Sequence, residues 1–333
     1  MYPIELKKQG NISAPLSLRI DYEAEIGRLR KEMNAVILAH YYQEDEIQDL
    51  ADAVGDSLEL ARRAAETDAD VIVFCGVRFM AEGAKLLNPD KLVIIPDMKA
   101  GCSLEDSCPP AAFKAFCQQH PDHLVISYIN CSAAVKALSD IIVTSSNAEA
   151  IIRQLPPEQK IIFAPDKYLG AYLNKITGRE MLLWNGTCMV HERFSETELI
   201  KLKTRHPEAT VIAHPECPGN LLNHAAHIGS TASLIRYSTQ RPGGSFIVLT
   251  EPGILHEMRK RSPGSSFYDV PGMSGGACIS CNACPYMKLN TLEKIYNAMK
   301  NRGPAIELAP ELMERARKPL ERMLEMSKAV GRN

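Results

Sequence analysis

Three stretches of the sequence decide the fold: AVILAHYY at 35–42, HLVISYIN at 123–130 and ATVIAHPE at 209–216. Each is rich in apolar and β-branched residues and ends on polar or aromatic side chains, which is typical of a buried strand that stops at the edge of a sheet. His40 and Tyr128 are 88 residues apart, and Tyr128 and His214 are 86 residues apart. This nearly constant spacing indicates an internal repeat.

Further elements recur with the same period. Ser57, Ser145 and Ser230 follow a second element of each unit, with spacings of 88 and 85 residues. A third set of apolar runs is VIVFCGV (71–77), IIFAPDK (161–167) and FIVLTEP (246–252). Helical stretches lie between the runs, for example DEIQDLADAV (45–54) and RFMAEGAKLL (78–87). Short apolar runs that alternate with helices predict βαβ units and parallel sheets.

We therefore predict the α/β class, with three homologous α/β/α sandwich domains that contain small parallel sheets and are related by pseudo-threefold symmetry. The predicted repeats are 21–106, 107–192 and 193–290. An irregular N-terminal lead-in at 1–20 precedes them, and a C-terminal helical segment at 291–333 follows. Within that segment, Leu312, Ala316, Leu320 and Met323 have helical spacing, which predicts a closing helix over 310–330.

The composition excludes some classes of function. The 333 residues include 38 basic and 40 acidic side chains, a formal net charge of −2, which gives no electrostatic reason to bind nucleic acid or a membrane surface. No apolar run approaches the roughly 20 residues that span a bilayer. The N-terminus lacks the apolar stretch of a signal peptide. These features predict a cytoplasmic protein.

The chain has ten cysteines, and a reducing cytosol disfavours disulfides, so some of the cysteines point to metal binding or catalysis. One cysteine follows the fourth apolar run of each repeat: Cys102, Cys188 and Cys284. Cys102 lies 62 residues after His40, Cys188 lies 60 after Tyr128, and the third repeat has a longer interval of 70. One thiolate per repeat predicts three ligands around a threefold axis, with a coordination position left open for a substrate.

The third of these cysteines belongs to the run Cys278-x-x-Cys281-x-x-Cys284-Pro285. The run is similar to a ferredoxin motif, but Lys288 occupies the place of the next cysteine. Only one of the three belongs to the threefold set, and its position relative to the downstream helix favours Cys284. Cys278 and Cys281 then form either a reversible disulfide or a pair of unliganded surface thiols. The other five cysteines are assigned to packing: Cys75, Cys108, Cys117, Cys131 and Cys217.

Polar groups follow the strands of all three repeats, at the edge where parallel α/β sheets bind ligands. Each triplet taken alone is explained by satisfied hydrogen bonds, but three equivalent ends predict one pocket for a small polar substrate. The hydroxyl groups of Ser57, Ser145, Ser230 and Thr231 have two interpretations as well. They are helix N-caps, or they bind the carboxylate and phosphate groups of a substrate at helix N-termini.

The chain resembles the quinolinate synthase family from about residue 30 to residue 325. The resemblance rests on AHYYQ (39–43), GDSLELA (55–61), GVRFMAE (76–82), TSSN (144–147), APDKYLG (164–170), HPEC (214–217), GST (229–231) and the CxxCxxCP run. It implies a transferase of NAD and pyridine nucleotide biosynthesis. The implied reaction condenses iminoaspartate with dihydroxyacetone phosphate to quinolinate, phosphate and water. It also implies an iminoaspartate-supplying partner, L-aspartate oxidase or aspartate dehydrogenase.

The resemblance implies a [4Fe–4S] cluster on Cys102, Cys188 and Cys284, with one iron open as a Lewis acid. Glu216 then resembles a general base, and Tyr42 and Tyr128 resemble its acid–base partners. The implied substrate contacts are His40, Asn130, His214, Ser57, Ser145, Ser230, Thr231 and Met287. His214 is also implied to be a catalytic residue.

Two other classes of function stay open on the sequence alone. An iron–sulfur or zinc sensor, or an electron carrier, would use the C-terminal cysteine run by itself and would not need Cys102 or Cys188. A sugar-phosphate-binding protein without cluster chemistry would be colourless even when purified without oxygen. The repeated cysteine position argues against both.

Overall fold

The structure is a computed structural model that describes residues 20–272 and 282–330. Cys278 and Cys281, and the lead-in 1–20 apart from Ile20, lie outside the described residues. The described chain contains three separate sheets, each with four parallel strands.

The first sheet comprises β1 (Ala35–His40), β2 (Ala53–Gly55), β3 (Val71–Cys75) and β4 (Leu92–Ile94). Its helices are α1 (Tyr22–Glu32), α2 (Asp45–Leu50), α3 (Ser57–Glu66), α4 (Arg78–Leu87) and α5 (Ser103–Asp106). The strand order is β2-β1-β3-β4. β3 is buried along its whole length, as expected for a parallel strand that is covered by helices on both faces.

The second sheet comprises β5 (Leu124–Tyr128), β6 (Ile141–Val143), β7 (Ile161–Ala164) and β8 (Leu182–Leu183). Its helices are α6 (Pro110–Gln118), α7 (Ala133–Lys136), α8 (Ala148–Arg153) and α9 (Lys167–Thr177). The order β6-β5-β7-β8 repeats that of the first sheet.

The third sheet comprises β9 (Thr210–Ala213), β10 (His227–Ile228), β11 (Ser245–Leu249) and β12 (Ser266–Asp269). Its helices are α10 (Glu196–Arg205), α11 (Gly219–Leu222), α12 (Thr231–Thr239) and α13 (Ile254–Arg261). The order is again the same, β10-β9-β11-β12. A 3₁₀ turn (Met287–Leu289), α14 (Leu292–Lys300) and α15 (Pro310–Val330) complete the described chain.

These sheets confirm the predicted fold class. The central strand pairs have matching registers: Ala35 lies opposite Val71, Leu124 opposite Ile161, and Thr210 opposite Phe246. The strands of each sheet fall within one predicted repeat. The domain limits and the threefold relation between the domains stay predictions.

One predicted helix is too long. The stretch 45–54 is helical only over Asp45–Leu50, and Ala53–Gly55 forms strand β2 instead. These residues pair with Leu38, Ala39 and His40 of β1, so their backbone groups are satisfied by the sheet rather than by another helical turn.

The other two helix predictions are confirmed. RFMAEGAKLL is helical over all of Arg78–Leu87, and the closing helix spans Pro310–Val330. The closing helix packs on α7, β6 and α4, and Ala316, Leu320 and Met323 are fully buried there. Burial of a leucine or methionine side chain stabilises the fold by about 1.5–3 kcal/mol, so this helix joins the first two sheets firmly. Within the described ranges, no helix combines the length and apolar character needed to cross a bilayer.

Candidate active site

One cavity is lined by residues from all three sheets and encloses about 650 Å³ of space between its lining atoms, a typical size for a small-molecule site. It lies where β1, β5 and β9 end, because the carboxyl ends of parallel strands share one edge of a sheet. All but one of the predicted site residues that the structure describes line this cavity: His40, Tyr42, Ser57, Cys102, Tyr128, Asn130, Ser145, Cys188, His214, Glu216, Thr231, Cys284 and Met287.

Ser230 is the exception, since it does not line the cavity. Its hydroxyl caps α12 by accepting a hydrogen bond from the backbone N–H of Ser233 at 3.3 Å. The N-cap interpretation therefore describes Ser230, but it fails for Ser57, because Asp56 caps α3 in its place. The Ser57 hydroxyl has no hydrogen-bond partner among the described residues. Its side chain lines the cavity instead.

Tyr128 and Glu216 form the shortest contact between the predicted catalytic groups. The Tyr128 hydroxyl donates a hydrogen bond of 2.6 Å to Oε1 of Glu216, and both side chains are buried. Burial and the adjacent Glu216 carboxylate raise the pKa of Tyr128 well above its ordinary value, so Tyr128 keeps its proton at neutral pH. Burial alone would raise the pKa of Glu216, but nearby His191 and His214 and the Tyr128 hydrogen bond lower it below its ordinary value. The pair is a carboxylate base beside a protonated hydroxyl acid.

His191 is a site residue that the sequence analysis did not single out. Its Nδ1 lies 3.1 Å from Oε2 of Glu216 and 3.3 Å from Sγ of Cys188, and its ring is buried. A signal was present in the sequence, because His191 lies three residues after Cys188. A lone histidine at that spacing is not specific enough to distinguish a site residue from a packed one.

A second hydrogen-bonded chain connects His191 to Tyr42. Nε2 of His191 is 3.0 Å from Oγ1 of Thr250, and the Tyr42 hydroxyl is 2.7 Å from the same oxygen. Burial raises the pKa of Tyr42 well above its ordinary value, so its hydroxyl is also protonated at neutral pH. Thr250 follows β11, and its one hydroxyl group bridges Tyr42 and His191.

His40 and His214 are neutral bases in this cavity. Burial lowers the pKa of His40 to about 3, helped by the adjacent His214, and burial also lowers the pKa of His214 to about 3. The hydrogen bonds agree, because Nδ1 of each ring accepts a backbone N–H, from Tyr42 at 3.2 Å and from Glu216 at 3.4 Å. Nε2 of His214 is 3.2 Å from the Ser145 hydroxyl, and that of His40 has no partner among the described residues.

Cys102, Cys188 and Cys284 reach the cavity from three different loops. Burial raises the pKa of all three thiols, that of Cys284 to about 11. All three side chains line the same cavity. Thiols in such a setting are uncharged when free, and a bound metal ion holds them as thiolates. Three converging thiols in a buried cavity fit an iron–sulfur cluster.

A second possible set of metal ligands shares Cys188 with the three cysteines. Cys188, His191 and Glu216 place ligand atoms within 4.8 Å of one another, and no other such group occurs in the part of the chain that the structure describes. Ligand atoms this close together suit a single metal ion. The three cysteines do not form a group that close, and a cluster of several metal atoms needs a wider arrangement of its ligands.

Buried hydrogen bonds hold Cys284 in position. Oε1 of Glu251 accepts the backbone N–H of Cys284 at 3.1 Å, and Oε2 accepts that of Gly253 at 2.7 Å. Nζ of Lys288 lies 3.7 Å from the same carboxylate. The amide of Gln43 donates to the backbone oxygen of Met287 at 3.1 Å, which fixes the turn after Cys284. Sequence reasoning did not identify Glu251 as a site residue, because only a tertiary contact links it to Cys284. It also missed the role of Lys288, whose charged group depends on the tertiary contact with Glu251.

The cysteines assigned to packing do not line the cavity. Cys75, Cys108, Cys131 and Cys217 are buried, and Cys117 is half-buried on α6. Cys217 directly follows Glu216, but its thiol points to the backbone oxygen of Leu249, 3.5 Å away.

The fold and the cavity define an enzyme in which three α/β units bring proton-transfer groups and thiols into one buried site. The sequence profile described as "Quinolinate synthetase A protein" matches residues 24–325. The chain therefore belongs to the quinolinate synthase family.

Curated members of the family are similar along almost their whole length. The quinolinate synthase of Nostoc punctiforme is 60% identical over 310 residues, which cover 93% of this chain and 95% of that protein. The quinolinate synthase of Synechocystis is 61% identical over 307 residues, with 92% and 96% covered. That of Chloroherpeton thalassium is 60% identical over 315 residues, with 94% and 97% covered.

Proposed function

We propose that this enzyme condenses iminoaspartate with dihydroxyacetone phosphate and releases quinolinate, phosphate and water. One observation carries the proposal: the Tyr128–Glu216 acid–base pair shares a single buried cavity with Cys102, Cys188 and Cys284. Condensation of an imine with a ketose phosphate, followed by dehydration, requires proton transfers at several atoms. A cavity with one carboxylate, two protonated tyrosines and two neutral histidines has the groups that such transfers need.

Cys102, Cys188 and Cys284 would hold a [4Fe–4S] cluster. When bound, this cluster supplies an open iron that acts as a Lewis acid on a carboxylate or hydroxyl group of the substrate. Three cysteines are one fewer than a fully ligated cluster uses, which supports an open position rather than electron transfer.

The remaining residues bind substrate and move protons. Glu216 is an ionised carboxylate and takes a proton from carbon or nitrogen, while Tyr128 gives one to a leaving hydroxyl group. Tyr42 serves a second proton transfer through Thr250 and His191.

Anionic groups of the substrates would bind at hydroxyl groups that begin two helices, and a donor group of the substrate would bind at an amide oxygen. Ser57 and Thr231 begin α3 and α12, and both line the cavity, where the positive end of each helix dipole faces a phosphate or carboxylate. Oδ1 of Asn130 is buried without a hydrogen-bond partner, so a substrate donor such as an imine N–H would satisfy it. Iminoaspartate would come from a partner that oxidises aspartate, an L-aspartate oxidase or an aspartate dehydrogenase.

Iron and sulfide analysis of anaerobically purified protein tests the proposal. We expect about four irons and four sulfides per chain, lost in Cys102→Ser, Cys188→Ser and Cys284→Ser. Cys117→Ser is the matched control, because this half-buried thiol lies outside the cavity, and Cys278→Ser and Cys281→Ser should also keep their iron. Quinolinate formation from the two substrates is then measured directly.

Other results of the same measurements would contradict the proposal. If Cys278 and Cys281 were required while Cys102 and Cys188 were dispensable, the cluster would belong to the C-terminal run and the electron-carrier interpretation would replace ours. If the protein purified without oxygen held neither iron nor sulfide, the cluster would be excluded.

A further inference from the structure

A second cavity adjoins the active-site cavity. This cavity, which we call the vestibule, lies among α3, α8, α9 and α12 and encloses about 1610 Å³, part of it open to solvent. Asp56 and Ser145 line both cavities. The vestibule is therefore separated from the active site by little more than these residues and their neighbours.

The wall between the two cavities is built from one pair of consecutive residues in each repeat. Ser57, Ser145 and Thr231 line the active-site cavity, whereas their neighbours Ser146 and Ser230 line the vestibule. Asp56 and Ser145 line both cavities. Each repeat thus contributes one pair of consecutive residues to the wall.

Side-chain hydrogen bonds close this wall. The Ser146 hydroxyl donates to Oδ2 of Asp56 and lies 2.8 Å from the hydroxyl of Ser230. The three residues come from three repeats, so their contacts join the units at one point. These bonds involve only side chains, and their opening requires rotamer changes rather than movement of a sheet.

Two arginines of the vestibule take part in no ion pair within the described residues. Arg62 and Arg236 line it, and neither has an ion-pair partner among the described residues. Its carboxylates are already engaged, since Glu59 pairs with Arg63 at 2.9 Å and Glu149 pairs with Arg153 at 2.9 Å. Asp56 accepts hydrogen bonds from two backbone N–H groups as well as from Ser146.

We propose that the vestibule is an anion-docking site, in which Arg62 and Arg236 bind the phosphate group of a small phosphate ester before it passes Asp56, Ser146 and Ser230 into the active site. The identity of the ester as a substrate rests on the proposed function; the docking site itself does not. Guanidinium groups bind phosphate oxygens in a bidentate manner, and unpaired guanidinium groups attract an anion through their charge.

Residue-specific chemical modification tests the docking site without an activity assay. The holoenzyme is treated with phenylglyoxal, an arginine reagent, and modification of each arginine is followed by mass spectrometry. Inorganic phosphate should slow modification of Arg62 and Arg236 at least about threefold relative to chloride at equal ionic strength, because it occupies their guanidinium groups. Arg205 and Arg259, two exposed arginines outside both cavities, are the controls and should react at unchanged rates.

Equal slowing at all four arginines, or none, would overturn the proposal. Protection by succinate but not by phosphate would overturn it too, because the site would then select dicarboxylates.

Substrate kinetics connect the site to the reaction. In the double variant Arg62→Gln/Arg236→Gln, kcat/KM for dihydroxyacetone phosphate should fall about tenfold at low ionic strength and lose most of its salt dependence, because electrostatic attraction is lost. The double variant Arg205→Gln/Arg259→Gln removes the same charge elsewhere and should match the unsubstituted enzyme. Unchanged kcat/KM and salt dependence in the first variant would overturn the docking proposal while the proposed function stands. Phosphate protection without any quinolinate formation by the unsubstituted enzyme would instead refute the proposed function and leave the docking site intact.

Discussion

The hydroxyl group of Tyr128 donates a 2.6 Å hydrogen bond to Oε1 of Glu216, across 88 residues of sequence. Tyr128 ends β5 in the second sheet, and Glu216 follows β9 in the third. The contact exists because both strands deliver their carboxyl ends to the same cavity. An acid and a base from different repeats are thereby brought within proton-transfer distance.

Tyr128→Phe removes the proton donor and leaves the ring in place. We expect kcat for quinolinate formation to fall about 10²- to 10⁴-fold, the usual contribution of a general acid, with iron content unchanged. Tyr168→Phe is the control, because its hydroxyl bonds to Glu192 at 3.2 Å and lies outside the cavity. A Tyr128→Phe enzyme with the original kcat would exclude Tyr128 as an acid.

His191→Asn distinguishes the two metal-binding arrangements. If Cys102, Cys188 and Cys284 hold a cluster, the variant should keep about four irons per chain while kcat falls, because Glu216 loses a neighbour that stabilises its charge. Metal analysis and steady-state rates measure the two effects. Loss of all metal would identify Cys188, His191 and Glu216 as the ligand set. His206→Asn, which changes a ring stacked on Tyr268 outside the cavity, is the matched control.

Glu251→Gln should loosen the Cys284 loop. The carboxylate accepts two backbone N–H groups and faces Lys288, and it is fully buried. Removal of one partner of a buried charge pair costs about 3–5 kcal/mol, so we expect a lower melting temperature and loss of iron on dilution. Glu44→Gln is a close control, because Oε2 of Glu44 is also 3.7 Å from Nζ of Lys288 but its side chain is 48% exposed.

Glu44→Gln should change the free energy of unfolding by no more than about 1 kcal/mol, as for other exposed ion pairs. Equal destabilisation by the two substitutions would show that the backbone hydrogen bonds of Glu251 do not hold the loop.

His40 should make the fold sensitive to acid. Its pKa is about 3 in the folded protein and 6.5 ordinarily, so the unfolded chain binds one more proton between these values. The contribution of the neutral His40 ring to the free energy of unfolding is then fully present above pH 6.5. It falls as the pH decreases, by up to about 1.4 kcal/mol per pH unit. His40→Gln should show a shallower decrease of melting temperature between about pH 6.5 and pH 5, measured against the unsubstituted protein. Parallel decreases would mean that the His40 ring is solvated or charged in the folded state.

Much of this fold could be predicted because the relevant signals are local. The apolar β-branched runs that become β1, β5 and β9 recur with one period, and each is followed by a helix pattern of its own. The prediction failed at 45–54, where Ala53–Gly55 pairs with β1. No local property of these residues reveals that a neighbouring strand competes for their backbone hydrogen bonds.

The candidate site also contains residues that could be predicted from the sequence and residues that could not. Residues that follow a strand, such as His40, Tyr128 and Glu216, could be predicted from position, because parallel strands direct their ends to one edge. Glu251 and Thr250 follow β11 as well, yet their roles depend on contacts with Cys284 and His191. Such contacts join segments that are far apart in sequence, and no spacing rule predicts them.

The sequence by itself determined the repeat, the parallel α/β class, one cysteine per repeat and a set of site residues of which all but Ser230, among those that the structure describes, line the active-site cavity. These properties follow from hydrophobic periodicity and from the direction in which parallel strands end. Only the tertiary structure decided that Asp56 rather than Ser57 caps α3, that Ser230 faces the vestibule, and that His191 lies between Cys188 and Glu216. The physical reason is that side-chain orientation at a junction of three domains depends on packing between segments that are far apart in sequence.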